Sequence, residues 1–552
     1  MSSQTHPERR FAGIDQLSLR GLILGMLGSA VITASSIYVA LRMSALPWPT
    51  IFVAVLSMAL LKGLGRTTHN EINITQTAMS AGAMVAGGLA FTLPGLWIAG
   101  LWQGPALTPA HFGQVLAVAL AGMLLGTVLG WLLRPRFIDQ ADLPYPLGAA
   151  AAETIKIGDQ GGRKSALLFG TMGLSALFTY FRDALGWIPA ALVSKGLYAR
   201  NVMVGMWVAP MAAAIGYLIG PLFTGVWFLG ASLSYLLIIP LGPALKLFPA
   251  VSSAIAFKNT AGIGLMVGTG LGILIAYLLS LLNGSSRNGA AAAAPAPVKT
   301  ATAGHSHRIW ILLAVSAAFV LSLLAGLDPI PSLLLMAGTL AACAMAAIIT
   351  GESGINPMEI FGIIVLLGIR LVVPIGAAAA FFVAAATAVA CGYTGDLFFD
   401  YKAGKILGTN PAAQLIAQIA GGVTGCVVAT LALFAVIGQF GGVGTQFGLP
   451  AGQAFAVSQM VNGVGDPIVF GIAAVIGIAL YLAKVPAMTL GIGMYLPFEI
   501  SSVVFLGGLI RWIMDKVRPR SGETGNIAAS GLLGGEGITG VGIAIVKMIT
   551  GA

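Results

Sequence analysis

The chain has 552 residues, 57% of them hydrophobic and only 8% charged, with 28 lysines and arginines against 18 aspartates and glutamates. So few charges cannot cover a soluble protein of this size, so most of the exterior must face lipid. The net charge of +10 comes from basic residues placed singly between apolar runs, which excludes a nucleic-acid-binding stripe and fits a positive-inside bias in short loops.

Residues 1–20 are polar and read as a cytoplasmic segment. They are too long for the n-region of a signal peptide, and no small-residue cleavage site follows the first apolar run, so that run is expected to remain as an anchor. Stretches of about 20 apolar residues are counted as membrane spans. A first transmembrane half, 21–282, then holds spans near 21–42, 47–62, 71–99, 112–133, 165–186, 202–219, 221–240 and 260–282. Residues 283–307 have the Ala/Pro character of a flexible linker, and the H-x-H of His305 and His307 beside it reads as solvated. The second half, 308–552, holds spans near 307–326, 330–350, 357–374, 377–393, 411–438, 450–483, 486–510 and 528–550. The expected fold is an all-α polytopic membrane protein of about sixteen transmembrane helices in two pseudo-symmetric halves, with broken or re-entrant segments. GVGDP at 463–467 is expected to split the 450–483 stretch.

Three echoes recur in the same order in both halves: NEINIT at 70–75 with GINPMEI at 354–360, LPYPLGAAAAE at 143–153 with YLPFEISS at 495–502, and GLMVGTGLGILIA at 264–276 with GLLGGEGITGVGIAIV at 531–546. They point to a parallel repeat whose pseudo-twofold axis runs along the membrane normal. Arg9, Arg10, Arg20, Lys62, Arg66, Arg134 and Arg136 fall on one side of this layout, which should be cytoplasmic. The 75 glycines lie inside apolar runs, as close helix packing in a bilayer requires. Cys343, Cys391 and Cys426 have spacings that suit neither a zinc site nor a disulfide framework, and no metal site is expected.

An ionisable residue inside an apolar segment needs a partner or a task. Arg182 and Asp183 read as a structural pair. Glu153, Glu499 and Glu536 lie among small or apolar residues with no basic neighbour one turn away, and a carboxyl that takes and releases a proton there is what proton coupling requires. Leu-Pro-Tyr-Pro at 143–146 and Leu-Pro at 496–497 break helices, and open backbone at membrane depth is tolerated where it is buried or lines a wet cavity. A substrate site is therefore expected between these breaks and the 71–82 helix, with Asn70, Asn73, Thr75, Gln76, Thr77, Tyr145 and Tyr495 as binding residues. In the polar stretch 391–414, Asp396 and Asp400 lie one turn apart and, with Lys402, read as a gating or structural segment. The alternative is a membrane-embedded ion pump or hydrolase using the Asp396/Asp400 pair, but there is no GxxxxGK[ST], no HExxH and no dense acidic cluster.

HNEINITQTAMSAG at 69–82, LPYPLGAAAAETIKIG at 143–158, YTGDLFFDYKAGKILGTNPAAQLIAQIAGG at 393–422 and GMYLPFEISSVVFLGGLI at 493–510 resemble the oligopeptide transporter family, which includes the yellow stripe-like carriers, in a prokaryotic-type form. The resemblance covers most of the chain and implies a multi-pass cell-membrane symporter, not an enzyme. It implies small peptides or siderophore- and nicotianamine-like metal chelates as substrates, and the proton gradient as energy source without a bound cofactor. After the first Pro-x-Pro this chain has Leu147 and Gly148, where the family commonly has glycine and a small polar residue.

Overall fold

A backbone surrounded by hydrocarbon must satisfy its own hydrogen bonds, and an apolar chain with these turn signals does so as helices. The computed structural model describes residues 10–550 except 12, 45, 47–49, 104–107, 142, 158–161, 283–304, 354–355, 463–465 and 519–521. Most of the expected linker and the centre of the GVGDP break therefore lie outside the described residues. Arg10–Phe11 (β1) and Ile14–Asp15 (β2) form a short antiparallel ladder ahead of α1 (Leu19–Met43), α2 (Thr50–Gly63), α3 (His69–Ala90), the single turn α4 (Gly95–Ile98) and α5 (Pro109–Arg134). A π-helical turn at Pro135–Gln140 precedes the Leu-Pro-Tyr-Pro break and α6 (Pro146–Ile157). Then come α7 (Gly162–Thr179), a π-helical turn at Tyr180–Ala184, and the antiparallel strands β3 (Ala191–Val193) and β4 (Gly205–Trp207) flanking α8 (Lys195–Tyr198). The first half closes with α9 (Pro210–Ile219), α10 (Pro221–Ser232), a π-helical turn at Leu233–Ile238, α11 (Ile239–Ala244) and α12 (Val251–Leu282).

The second half runs through α13 (His305–Leu324), α14 (Pro329–Ser353), α15 (Met358–Val372), α16 (Ala377–Leu407) and α17 (Pro411–Phe440). It ends with α18 (Gly452–Asn462), α19 (Pro467–Leu482), α20 (Ala487–Tyr495), α21 (Phe498–Val517) and α22 (Gly522–Thr550). The chain is thus an all-α polytopic membrane protein. Among the described residues seven helical segments are long and apolar enough to cross a membrane, and four more apolar helices are shorter than a full span.

Two expectations from the sequence change in detail, and the expected split of 450–483 is present. The 202–219 stretch holds only α9 as helix, because its start forms β4 of a hairpin. The 450–483 stretch is two helices, with Asp466 capping the second through bonds from the Ile468 and Val469 amides of 2.9 and 3.2 Å. The 377–393 span continues to Leu407, carrying Asp396 and Asp400 with it. Both proline breaks are present. Tyr145 takes a left-handed backbone (φ 41°) before Pro146, and Leu496 is extended before Pro497.

The two sequence halves are interleaved: α16 and α17 of the second half pack on α1, α3, α5 and α6 of the first, while α20 and α21 pack on α9, α10 and α12. The α3–α17 crossing brings backbones together, since a Cβ at Gly421 or Gly425 would collide with Ala78 or Gly82. This is the small-xxx-small packing by which helices associate where hydrophobicity gives no drive. Several of the basic residues assigned to the cytoplasmic side meet at one end of the bundle. Arg20 donates to the Arg66 carbonyl (2.6 Å), Gln16 bonds across to Gly408 and Asn410, and Lys405 donates to the Ile138 carbonyl (2.7 Å).

Candidate functional site

Two groups of buried polar side chains occupy junctions between the sequence halves. The first lies where α3, α16 and α17 meet. Each of these helices carries two polar residues one turn apart: Gln76 and Ser80, Asp396 and Asp400, Gln414 and Gln418. That spacing puts each pair on one helix face, and the glycine crossing draws the three faces together. All six side chains are buried. Gln76 Nε2 donates to Asp400 Oδ1 (2.5 Å), and Ser80 Oγ reaches Asp396 Oδ2 (2.8 Å) and Asp400 Oδ2 (3.4 Å). Gln418 Nε2 donates to Asp396 Oδ2 (3.4 Å) and Gln414 Nε2 to the Asp400 carbonyl (2.7 Å) and Thr77 Oγ1 (3.5 Å). No ion pair reaches either carboxyl among the described residues. Burying a charge without a partner is costly in any low-dielectric setting.

The second group surrounds the α20–α21 break. Lys258 of α12, 3% exposed, donates through Nζ to the Tyr235 hydroxyl (2.9 Å) and the Tyr495 carbonyl (3.0 Å), and lies over both rings. That carbonyl is within the last turn of α20. Glu499, in the first turn of α21, accepts from the Tyr198 hydroxyl. Gly205 on β4 leaves room for it, since a Cβ there would come 2.7 Å from Glu499 Cγ. Lys258 and Glu499 thus share a buried neighbourhood without forming an ion pair.

The expected binding residues do not all converge. Gln76 and Thr77 join the acid pair. Asn70 and Asn73 meet Thr409 at the α16–α17 turn (3.0 and 3.1 Å), and Thr75 lies against Gly21 of α1. Tyr145 is fully buried, donating to the Ala347 carbonyl (3.0 Å) and stacking on Phe398, while Tyr495 belongs with Lys258. Lys402 is partly buried beyond Asp400.

The three candidate coupling carboxyls have different surroundings. Glu153 is exposed, because α6 buries Ala151, Ala152 and Ile155 and so turns residue 153 outward; the run of alanines had pointed to burial. Glu536 is fully buried and meets Arg182 at 2.8 Å, with the Met211 amide donating to its other oxygen (2.9 Å). Arg182 also holds Asp183 (2.7 Å), which Arg42 meets at 3.0 Å. Reading along the chain could not find Arg182 as a partner of Glu536, because the two are brought together only by packing of α7 against α22. Lys258, Ser80, Gln414, Gln418 and Glu359, the last buried in the first turn of α15, were also not singled out. The matching i,i+4 spacing on three helices was the available signal for the glutamines.

The family model described as OPT oligopeptide transporter protein matches residues 16–547. A Haemophilus influenzae protein that carries the provisional name oligopeptide transporter is 27% identical, with 92% of each chain covered.

Proposed function

The chain belongs to the oligopeptide transporter family and is a multi-pass membrane transporter rather than an enzyme, and on that footing we propose that it is a secondary symporter of small peptides driven by the proton gradient. The observation that carries the substrate is the Lys258–Glu499 neighbourhood. A buried ammonium held by neutral oxygens and a buried carboxylate held by a phenol, not paired to each other, offer one charge for each end of a zwitterion. A peptide's carboxylate and amine would each find a counter-charge there, which repays the water they lose on entering. In this reading Glu499 serves substrate recognition. The α20–α21 break supplies open backbone beside these charges, a feature of transporter sites.

The related name of the Haemophilus influenzae protein supports a peptide over a chelate. Among the described residues no three His, Cys, Asp or Glu side chains gather to hold a metal. The test is uptake into proteoliposomes with an imposed proton gradient and no nucleotide. Accumulation of di- to pentapeptides, competed by unlabelled peptide and not by loaded siderophores, supports the reading. Dependence on ATP, or accumulation of loaded chelates alone, overturns it.

A further inference from the structure

We propose that the Asp396–Asp400 pair is the group that carries the coupling proton. The argument is one of hydrogen-bond accounting and rests on the proton-driven reading above. Both carboxyls are fully buried on α16, and both accept from the single hydroxyl of Ser80. The facing elements bring no ion pair to them among the described residues. The titratable neighbours are Tyr393, whose hydroxyl is spent on the Gln418 carbonyl, Tyr401, which has Arg134 over its ring at 5.4 Å, and Cys426 of α17. Lys405 is directed to the Ile138 carbonyl instead.

Three acceptor oxygens at the pair lack a donor. Asp396 Oδ1, Gln76 Oε1 and Gln418 Oε1 are all buried without a hydrogen-bond partner, as is Asn73 Oδ1 one turn away. Buried polar atoms are rarely left so, and each one costs about 1–3 kcal/mol. The unfilled positions on the residues that bond to the pair, Asp396 Oδ1, Gln76 Oε1 and Gln418 Oε1, are acceptors, and the Tyr401 hydroxyl beside them also lacks a partner, so a further hydrogen-bond donor at the pair itself would relieve an unmet acceptor. A proton added to one carboxylate oxygen creates an O–H that fills an orphaned oxygen and removes one of two like charges. Released toward the side of lower proton activity, it leaves the carboxylate as it began. No other reactant is needed.

This placement also couples the proton to movement. The donors to the pair come from α3 and α17, the two helices that cross at Gly82 and Gly425. Loading and unloading the pair therefore changes what α16 asks of both partners at once, which is how one bound proton biases a two-state packing.

The experiment compares Asp396→Asn and Asp400→Asn with wild type in proteoliposomes, each variant first shown to elute as a monodisperse species in detergent. Proton-driven peptide accumulation should fall roughly tenfold or more, while peptide exchange between equally loaded sides stays within about twofold and loses its pH dependence. Accumulation at the wild-type level in both variants overturns the assignment, and so does a loss of exchange equal to the loss of accumulation. Infrared difference spectra of wild type give a readout that does not need the variants to fold. A protonated-carboxyl band that titrates between mildly acid and mildly alkaline buffer, and moves with peptide, is expected; its absence overturns the proposal. If wild type accumulates peptide under a sodium gradient alone, the pair does not carry the proton. If wild type accumulates no peptide under any gradient, the transport reading fails instead.

Discussion

Arg182 and Glu536 meet at 2.8 Å, with side chains 1% and 0% exposed, although 354 positions separate them in the chain. Asp183 and Arg42 extend this contact into a four-membered network that joins α1, the π-helical turn after α7 and α22. Losing one member of a buried pair leaves the other charged and unpaired, which typically costs about 3–5 kcal/mol. Glu536→Ala should therefore lower the thermal unfolding temperature of the detergent-solubilised protein markedly. Arg182→Met combined with Glu536→Met should cost less than the two single changes added together, because the pair couples. The half-exposed Lys164–Glu523 pair is the contrast: Glu523→Gln should change stability by less than about 1 kcal/mol. Fluorescence-detected melting of these five variants checks all of this.

The crossing of α3 and α17 gives a second stability prediction. A methyl at Gly421 has no room beside the Ala78 carbonyl, so Gly421→Ala must push the helices apart. Overpacking of this kind costs about 1–3 kcal/mol. The same displacement would pull Gln418 off Asp396, so peptide accumulation should fall along with the melting temperature. Gly170, where an added Cβ meets nothing within 4 Å, is the control. Gly170→Ala should leave both unchanged.

How far the sequence carries depends on whether a feature is local or made by packing. The proline breaks were legible because Pro144, Pro146 and Pro497 act on the residue next to them. The family was legible from contiguous blocks, above all 393–422. The end of α16 was not legible: four charged residues in ten looked like the exit from the membrane. All four stay helical, and the two acids stay buried because Gln76, Ser80 and Gln418 on other helices bond to them. Glu153 failed in the opposite direction, since alanine accepts either side of a helix and its neighbours could not say which side faces out. Glu536 looked isolated among glycines because its cation arrives from another helix.

Orientation can be read out chemically. The basic residues at the starts of α1 and α3 and the ends of α5 and α16 share one end, which the positive-inside rule places in the cytoplasm. Cys343, Cys391 and Cys426 are buried, so the wild-type protein should react with a membrane-impermeant maleimide on neither side of intact cells. A single cysteine introduced at Lys62 or Arg136 should label only after the cells are opened. Labelling of either in intact cells would invert the topology.

The last prediction concerns recognition of the substrate's carboxylate by Lys258. Its ammonium has two neutral oxygen partners, at 2.9 and 3.0 Å, and two aromatic faces. Methionine keeps the length and the apolar stem but removes the charge and its donors, so the packing of α12 against the α20–α21 break is retained. A charge-assisted hydrogen bond is worth about 1.5–3 kcal/mol, so Lys258→Met should raise KM for a peptide with a free carboxyl terminus by roughly ten- to a hundredfold. A peptide ending in an amide keeps a carbonyl acceptor but not the negative charge, so it should lose several-fold less than the free acid on going from wild type to the variant. Lys258→Arg keeps the charge but fans its donors in a plane that Tyr235 and the Tyr495 carbonyl do not match, so it should rescue affinity only in part. Competition curves for the free-acid and amidated forms of one peptide decide the matter. Equal loss for both forms would make Lys258 a packing residue of the break, and no loss for either would move the carboxylate site elsewhere.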